Sequence, residues 1–185
     1  LEVQADSRNF VKTAIPVRMK MYPSQDIHTK RLGDVDNNKK THTMTKEELF
    51  KLMNEHPVMY VATNDNGQPH VRGILMYKAD EEGIVFHTGV TKDLYRQLVA
   101  DPRAEVCFSC GKYQIRVEGK FELVEDRALK EEIVNHPSRQ FLQPWRAQQG
   151  DEAFFAFLQV FRMRHGKAHA WCMEDNFKPK EYVIL

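Results

Sequence analysis

Cysteine is scarce in this 185-residue chain: there are three, an odd number that cannot complete a set of disulfides. Such usage points to a reducing setting, and a cytoplasmic location is expected. Long apolar runs are lacking as well, none approaching the roughly 18 residues of a membrane-spanning helix, so no membrane is expected as a partner. Neither sign of charge dominates. With 27 Lys and Arg against 26 Asp and Glu, the net charge is +1. No broad positive field exists to release counterions, and no nucleic-acid partner is expected. The opening Leu1-Glu2-Val3-Gln4 has neither an initiator Met nor a signal-peptide core, which reads as a trimmed start. Also missing are G-x-S-x-G, H-E-x-x-H, a P-loop and G-x-G-x-x-G. No nucleophile elbow, zincin helix or nucleotide-binding loop is therefore indicated.

One pattern mimics a metal site. Cys107-Phe108-Ser109-Cys110 and His165-Gly166-Lys167-Ala168-His169 have the letters of zinc half-sites. Residues three apart on a strand point to opposite faces and lie ~10 Å apart, so the two thiols cannot converge on one ion. No metal is expected.

What is present divides in two. Residues 1–43 are polar, interrupted by Pro16, Pro23 and Gly33, and show no sustained period, which reads as a flexible or strapping N-terminal arm. Within it, 10–22 carries enough apolar residues to pack on a domain or a partner. A single domain is expected over 44–185. Thr45-Lys46-Glu47-Glu48 has the form of a capping box, followed by the stripe Leu49, Leu52 and Met53, and Pro57 stops the helix. Strands are predicted at 58–63, 69–77 and 84–88, the first two joined through the turn Asn64-Asp65-Asn66-Gly67. Arg72 shares a face with His70, Ile74 and Met76, on a strand expected to pair with 84–88 in a hairpin. A helix is predicted from Thr91 with Lys92 in its first turn, then strands at 104–110 and 113–125, the latter alternating over a dozen residues. Asp126 caps a further helix, a loop carries Trp145, and 154–163 is apolar enough for a central strand. A last segment covers 168–173. Six or so mostly antiparallel strands with short flanking helices make a mainly β, α+β domain, and closing them into a barrel removes exposed edges.

The segment richest in chemistry is Phe86-His87-Thr88-Gly89-Val90-Thr91-Lys92. A helix N-terminus is already positive, so a Lys there beside two hydroxyls makes sense if an anion, above all a phosphate, binds. Taken alone, the segment reads first as a solvated Lys92 and a plain Thr91 cap, and Arg72, expected near the same end of the sheet, shifts the reading toward an anion.

With these residues in hand, the sequence over 45–185 resembles the FMN-binding split barrels related to pyridoxamine 5'-phosphate oxidase, in their small anaerobe-type form. Arg72-Gly73-Ile74-Leu75 resembles the strand whose Arg binds the FMN phosphate and whose backbone passes the flavin ring. His87-Thr88 resembles the next strand, and Thr91-Lys92 the phosphate clamp. Gln114 within Gln-Ile-Arg-Val-Glu-Gly-Lys resembles the Gln that reaches the flavin from the second subunit, and the segment from Trp171 resembles the small members' tail. The resemblance implies a six-stranded antiparallel split barrel, a homodimer, FMN as cofactor, and an FMN-dependent oxidoreductase acting on a small organic substrate at the dimer interface. Cofactor contacts are implied for Arg72, Gly73, Ile74, Leu75, His87, Thr88, Thr91, Lys92, Gln114 and Trp171, the last either covering the flavin or packing at the interface. True pyridoxamine phosphate oxidases close with Arg-Leu-x-Pro, and this chain has Glu181-Tyr182-Val183-Ile184-Leu185, which argues against that activity. Three alternatives stay open. One is a nitroimidazole-reductase-like enzyme in which His87 is catalytic rather than a packing residue. The second is a non-catalytic flavin- or haem-binding protein, with His165 and His169 as haem candidates. The third is a protein without cofactor in a structural role.

Overall fold

The computed structural model describes residues 43–185. The expected arm, with its apolar stretch 10–22, lies outside the described residues except for Thr43. The first helix, α1 (Lys46–Glu55), starts as its sequence requires: Thr45 Oγ1 accepts from the Glu48 amide, and Glu48 reaches back to the Thr45 amide. Its apolar stripe buries Leu49, Phe50 and Met53.

Strands β1 (Val58–Asp65) and β2 (Gln68–Leu75) form the predicted hairpin. Asn66 and Gly67 take positive φ at 52° and 93°, the requirement of a tight turn. The chain then runs through β3 (Lys78–Asp80), β4 (Gly83–Gly89), α2 (Asp93–Ala100), β5 (Arg103–Cys110), β6 (Tyr113–Lys120) and β7 (Glu122–Val124). A helical segment follows, made of α3 (Arg127–Asn135), a 3-10 turn (Pro137–Leu142), α4 (Gln143–Gln149) and α5 (Asp151–Phe157). Strands β8 (Leu158–Met163), β9 (Lys167–Trp171) and β10 (Val183–Ile184) complete the described part.

All strand pairs are antiparallel, in a six-stranded sheet ordered β10-β9-β6-β5-β1-β2 and a four-stranded sheet ordered β3-β4-β8-β7. The mainly β, split-barrel class expected from sequence is what forms, but the described residues make ten strands in two sheets with free edges rather than six strands closed on themselves. The chain passes from one sheet to the other within a single extended run. The Met76 amide donates to Pro57 O at 2.8 Å, while the next amide, of Tyr77, donates to Val85 O at 2.7 Å. Between β6 and β7, Phe121 does likewise, donating to Pro102 O at 2.9 Å. One core fills the space between the sheets, with Met59, Val61, Phe86, Phe108, Ile115 and Phe161 fully buried. A second layer lies on the outer face of the small sheet, where Val85 and Val160 meet Leu129 and Ile133 of α3.

The structure corrects several sequence expectations. The strand predicted over 113–125 is two, β6 and β7, because the chain changes sheets at Phe121. The strand carrying Arg72 pairs with β1, and 84–88 pairs instead with Lys78–Asp80, because the sheet change at Met76–Tyr77 falls between the two. The apolar run 154–163 is not one strand: it is the end of α5 followed by β8. Phe154 and Phe155 are buried beside exposed Ala153 and Ala156, a helical rather than alternating pattern that the unbroken apolar stretch from Ala153 to Leu158 conceals. Trp145, placed in a loop by sequence, lies on α4.

Two turn glycines separate strain from crowding. Gly67 has φ 93° and open space around a would-be Cβ, whereas at Gly83, with φ 115°, a Cβ would stand 2.3 Å from Met163 O. Gly67→Ala is expected to cost about 1 kcal/mol through the left-handed backbone alone. Gly83→Ala should cost well over that, since backbone cannot swing aside. Urea melts of the two variants give the comparison, and equal costs would mean that the β4–β8 contact yields readily.

Candidate functional site

The residues singled out from sequence fall into three places. His87 and Thr88, at the end of β4, line a cleft of about 460 Å³ together with Gly89 and Lys92. Their opposite wall comes from the helical segment: Phe141, Leu142, Trp145, Gln148, Gln149 and Phe157. A Cβ on Gly89 would lie 2.0 Å from the Phe157 ring, so any larger residue there would have to displace that ring from the cleft lining.

Arg72 occupies the second place. It pairs with Val61 in the β1–β2 ladder, which turns it to the inner face with Thr63, His70 and Ile74, as the strand period predicted. Its Nη1 donates to Thr63 Oγ1 at 2.7 Å and its Nη2 to Gln97 Oε1 at 2.8 Å, while the Thr63 hydroxyl donates to the same Gln97 oxygen at 2.7 Å. Thr63 and Gln97 are both buried. Burial draws the guanidinium below its usual value, and the Asp93 charge opposes this. Through Gln97 and Asp93, Arg72 is therefore tied to α2, the helix that Lys92 opens.

Lys92 sits one residue earlier than expected, at the N-cap of α2 rather than in its first turn, and no side chain caps the helix there. Its ammonium is exposed and has no acidic partner among the described residues. A partnerless cation beside uncapped first-turn amides is a donor set for an anion. Thr91 is exposed and lies off the cleft wall, while Gly73, Ile74 and Leu75 follow Arg72 along β2.

Gln114 and Trp171 form the third place. They face each other as partners across β6 and β9, both half-buried, in the six-stranded sheet and away from the His87 cleft. Within one chain the two groups stay apart. The other sequence candidates are also placed: Cys107, Cys110 and Cys172 are free, and Cys110 turns into the core while Cys107 faces the other way. His169 is buried, with Nδ1 2.9 Å from Glu181 O.

His87 shares its face with Val85, toward the helical layer, and its ring lies 6.4 Å from that of Phe141. Thr88 points to the other face. Burial, reinforced by the positive charge of Arg139, pushes the His87 imidazole down to about 4. It is thus neutral across the physiological range, a hydrogen-bonding and packing group and not the titrating switch that its ordinary value would suggest.

Sequence reasoning passed over the whole helical wall. Phe141 and Trp145 are four residues apart, a helical spacing that places them on one face, and their rings meet edge to face at 6.3 Å. Gln148 and Gln149 carry no motif, and the buried Arg139 has no local signal. Only the return of the chain across the small sheet brings them to His87.

The depressed imidazole makes stability depend on pH. The unfolded chain binds a proton near 6.5 and the folded His87 only near 4, so the full stability is present above about 6.5 and is lost as pH falls toward 4. His87→Gln should abolish this share of acid sensitivity, on the order of 2–3 kcal/mol. Denaturant melts at pH 7 and pH 4.5 check it. Identical acid losses in parent and variant would mean that His87 is protonated freely.

Comparison with known proteins agrees with this architecture. Residues 45–171 match the family model described as pyridoxamine 5'-phosphate oxidase. A pyridoxine/pyridoxamine 5'-phosphate oxidase of Mannheimia succiniciproducens is 30% identical over 131 residues, which are 69% of this chain and 62% of that protein. The chain thus spans somewhat under two thirds of that relative's length. Among solved structures, a NimC/NimA family protein of Clostridium acetobutylicum superposes with a TM-score of 0.59 at 19% identity, covering 75% of this chain and 92% of the other. PhzG of Burkholderia lata, solved with tetrahydrophenazine-1-carboxylic acid, gives 0.51 at 16% identity over 71% and 82%. These two share the fold. The sequence match, covering most of the described domain from the first helix cap to the end of β9, establishes descent: the chain belongs to the pyridoxamine 5'-phosphate oxidase family.

Proposed function

We propose that this protein is an FMN-dependent oxidoreductase that acts on a small planar organic substrate and works as a homodimer. The observation that carries the reading is Lys92: a cation without an acidic partner among the described residues, at an uncapped helix start, on the wall of an aromatic-lined cleft. That chemistry fits a phosphate joined to a flat ring. Lys92 and Arg72 would neutralise the FMN phosphate, with hydroxyls of Thr88 and Thr91 donating to it, and the backbone of Gly73, Ile74 and Leu75 would border the ring. The bound flavin supplies the electron-accepting ring, and the chain's own residues orient it and exclude water. Neutral His87 offers the ring or substrate a hydrogen bond without adding a charge.

Gln114 and Trp171 support the two-subunit form, because one chain keeps them away from the cleft that the family pattern joins them to. So does the outer face of the six-stranded sheet, where Val58, Tyr60 and Val71 are exposed by 55%, 49% and 67%. An apolar patch of this kind on a sheet face is suited to a second copy. A planar substrate suits the Phe141–Trp145 wall, and the PhzG ligand is a ring acid of that general type.

Lys92→Ala should weaken FMN by tenfold or more while leaving riboflavin little changed, because the lost partner is a phosphate; the range for a charged hydrogen bond is about 1.5–3 kcal/mol. Arg72→Ala should do the same and also lower stability, since Thr63 and Gln97 lose their shared partner. Flavin fluorescence titrations measure both, and equal losses for FMN and riboflavin would displace the phosphate from this site. Light scattering should give twice the 21.7 kDa chain mass. A monomer that binds FMN at full strength would overturn the shared site.

A further inference from the structure

Arg139 is the most conspicuous charged group in the described domain. It is 1% exposed, and its guanidinium has no carboxylate partner among the described residues. Nη2 donates to Leu75 O at 3.2 Å and to Met76 O at 2.7 Å; Nη1 donates to Ser138 Oγ at 2.9 Å and to Ser138 O at 3.4 Å; Nε has no partner. A buried charge held mainly by neutral oxygens is costly and persists where its geometry is needed.

The need is visible in the backbone. Leu75 and Met76 are where β2 leaves the large sheet, and there successive amides turn to different sheets. The carbonyls at such a break lack a regular ladder, and a planar fork with several donors can hold two of them at once. The same residue lies in the 3-10 turn two positions before Phe141, at the root of the wall that faces His87. Arg139 thereby joins the end of the Arg72 strand to the root of the helical wall, and its charge reaches His87 at the end of β4.

We propose that Arg139 is a positioning residue for the cofactor cleft, its guanidinium locking the helical wall to the end of β2 so that the ring-bordering strand and the Phe141–Trp145 face keep one separation. It touches neither substrate nor cofactor in this role. The cofactor part of the inference rests on the flavin reading above; the lock itself does not.

The test compares the parent with Arg139→Gln and Arg139→Lys. Hydrogen exchange without flavin should speed up in 74–77 and 140–149, while α1, which Arg139 does not touch, exchanges at the parent rate. Lys keeps the charge but offers one donor group instead of a fork, so it should fall between parent and Gln. In flavin titrations, Arg139→Gln should weaken FMN and riboflavin by the same factor, about tenfold or more, unlike Lys92→Ala, which should separate them. Unchanged exchange in the two segments, or faster exchange everywhere alike, would overturn the lock, and selective loss of FMN would make Arg139 a phosphate ligand instead. If Arg139→Gln does not fold, Arg139→Lys decides by the same exchange comparison. If the parent binds neither flavin, the flavin reading falls while the exchange result still decides the lock.

Discussion

A strand that belongs to two sheets must change its hydrogen-bond partners within one peptide unit, and the rest of this molecule is arranged around that step. At Met76 and Tyr77 consecutive amides serve Pro57 of one sheet region and Val85 of the other. The ladder cannot continue across such a break, so buried carbonyls need donors from elsewhere. Arg139 supplies them to Leu75 and Met76, which draws a helical segment across the small sheet. The cleft is the space left between that segment and the end of β4.

The cleft combines apolar walls with one lining cation and, among the described residues, no lining carboxylate. Gly89 meets Phe157 in its lining, Phe141 and Trp145 stand on the helical side, and Lys92 on the β4 side. Burial, with the charge of Arg139 added, keeps the His87 imidazole neutral. Arg72, fixed by Thr63 and Gln97, adds positive charge next to the start of α2 without having to order its side chain when a ligand arrives. Such preorganisation favours an anionic ligand over a neutral one of equal size, because the cost of holding the donors is met on folding.

Much of the local structure was readable in order along the chain. The capping box at Thr45, the cap at Asp126, the Asn66–Gly67 turn and the shared face of His70, Arg72 and Ile74 each depend on residues a few positions apart. Where reading failed, the deciding contact was distant. The run 154–163 is apolar apart from Gln159 and Arg162, so neither period stands out over its first half, and it divides into helix and strand because Phe154 and Phe155 bury against Val134 and Leu142. Lys92 slipped from the first helical turn to the cap position, a shift of one residue that spacing alone does not resolve.

The sequence by itself determined the family, the mainly antiparallel β class and the residue types suited to a phosphate, because these rest on local periodicity and on short ordered motifs. Only the tertiary structure decided which of those residues share a cleft. It set His87, Thr88 and Lys92 against Phe141, Trp145 and the two glutamines, and it left Gln114 and Trp171 on another sheet. It also turned His87 from an ordinary histidine into a neutral one. The physical reason is that burial and the field of Arg139 act through space between positions 52 residues apart, and no local pattern records such a distance.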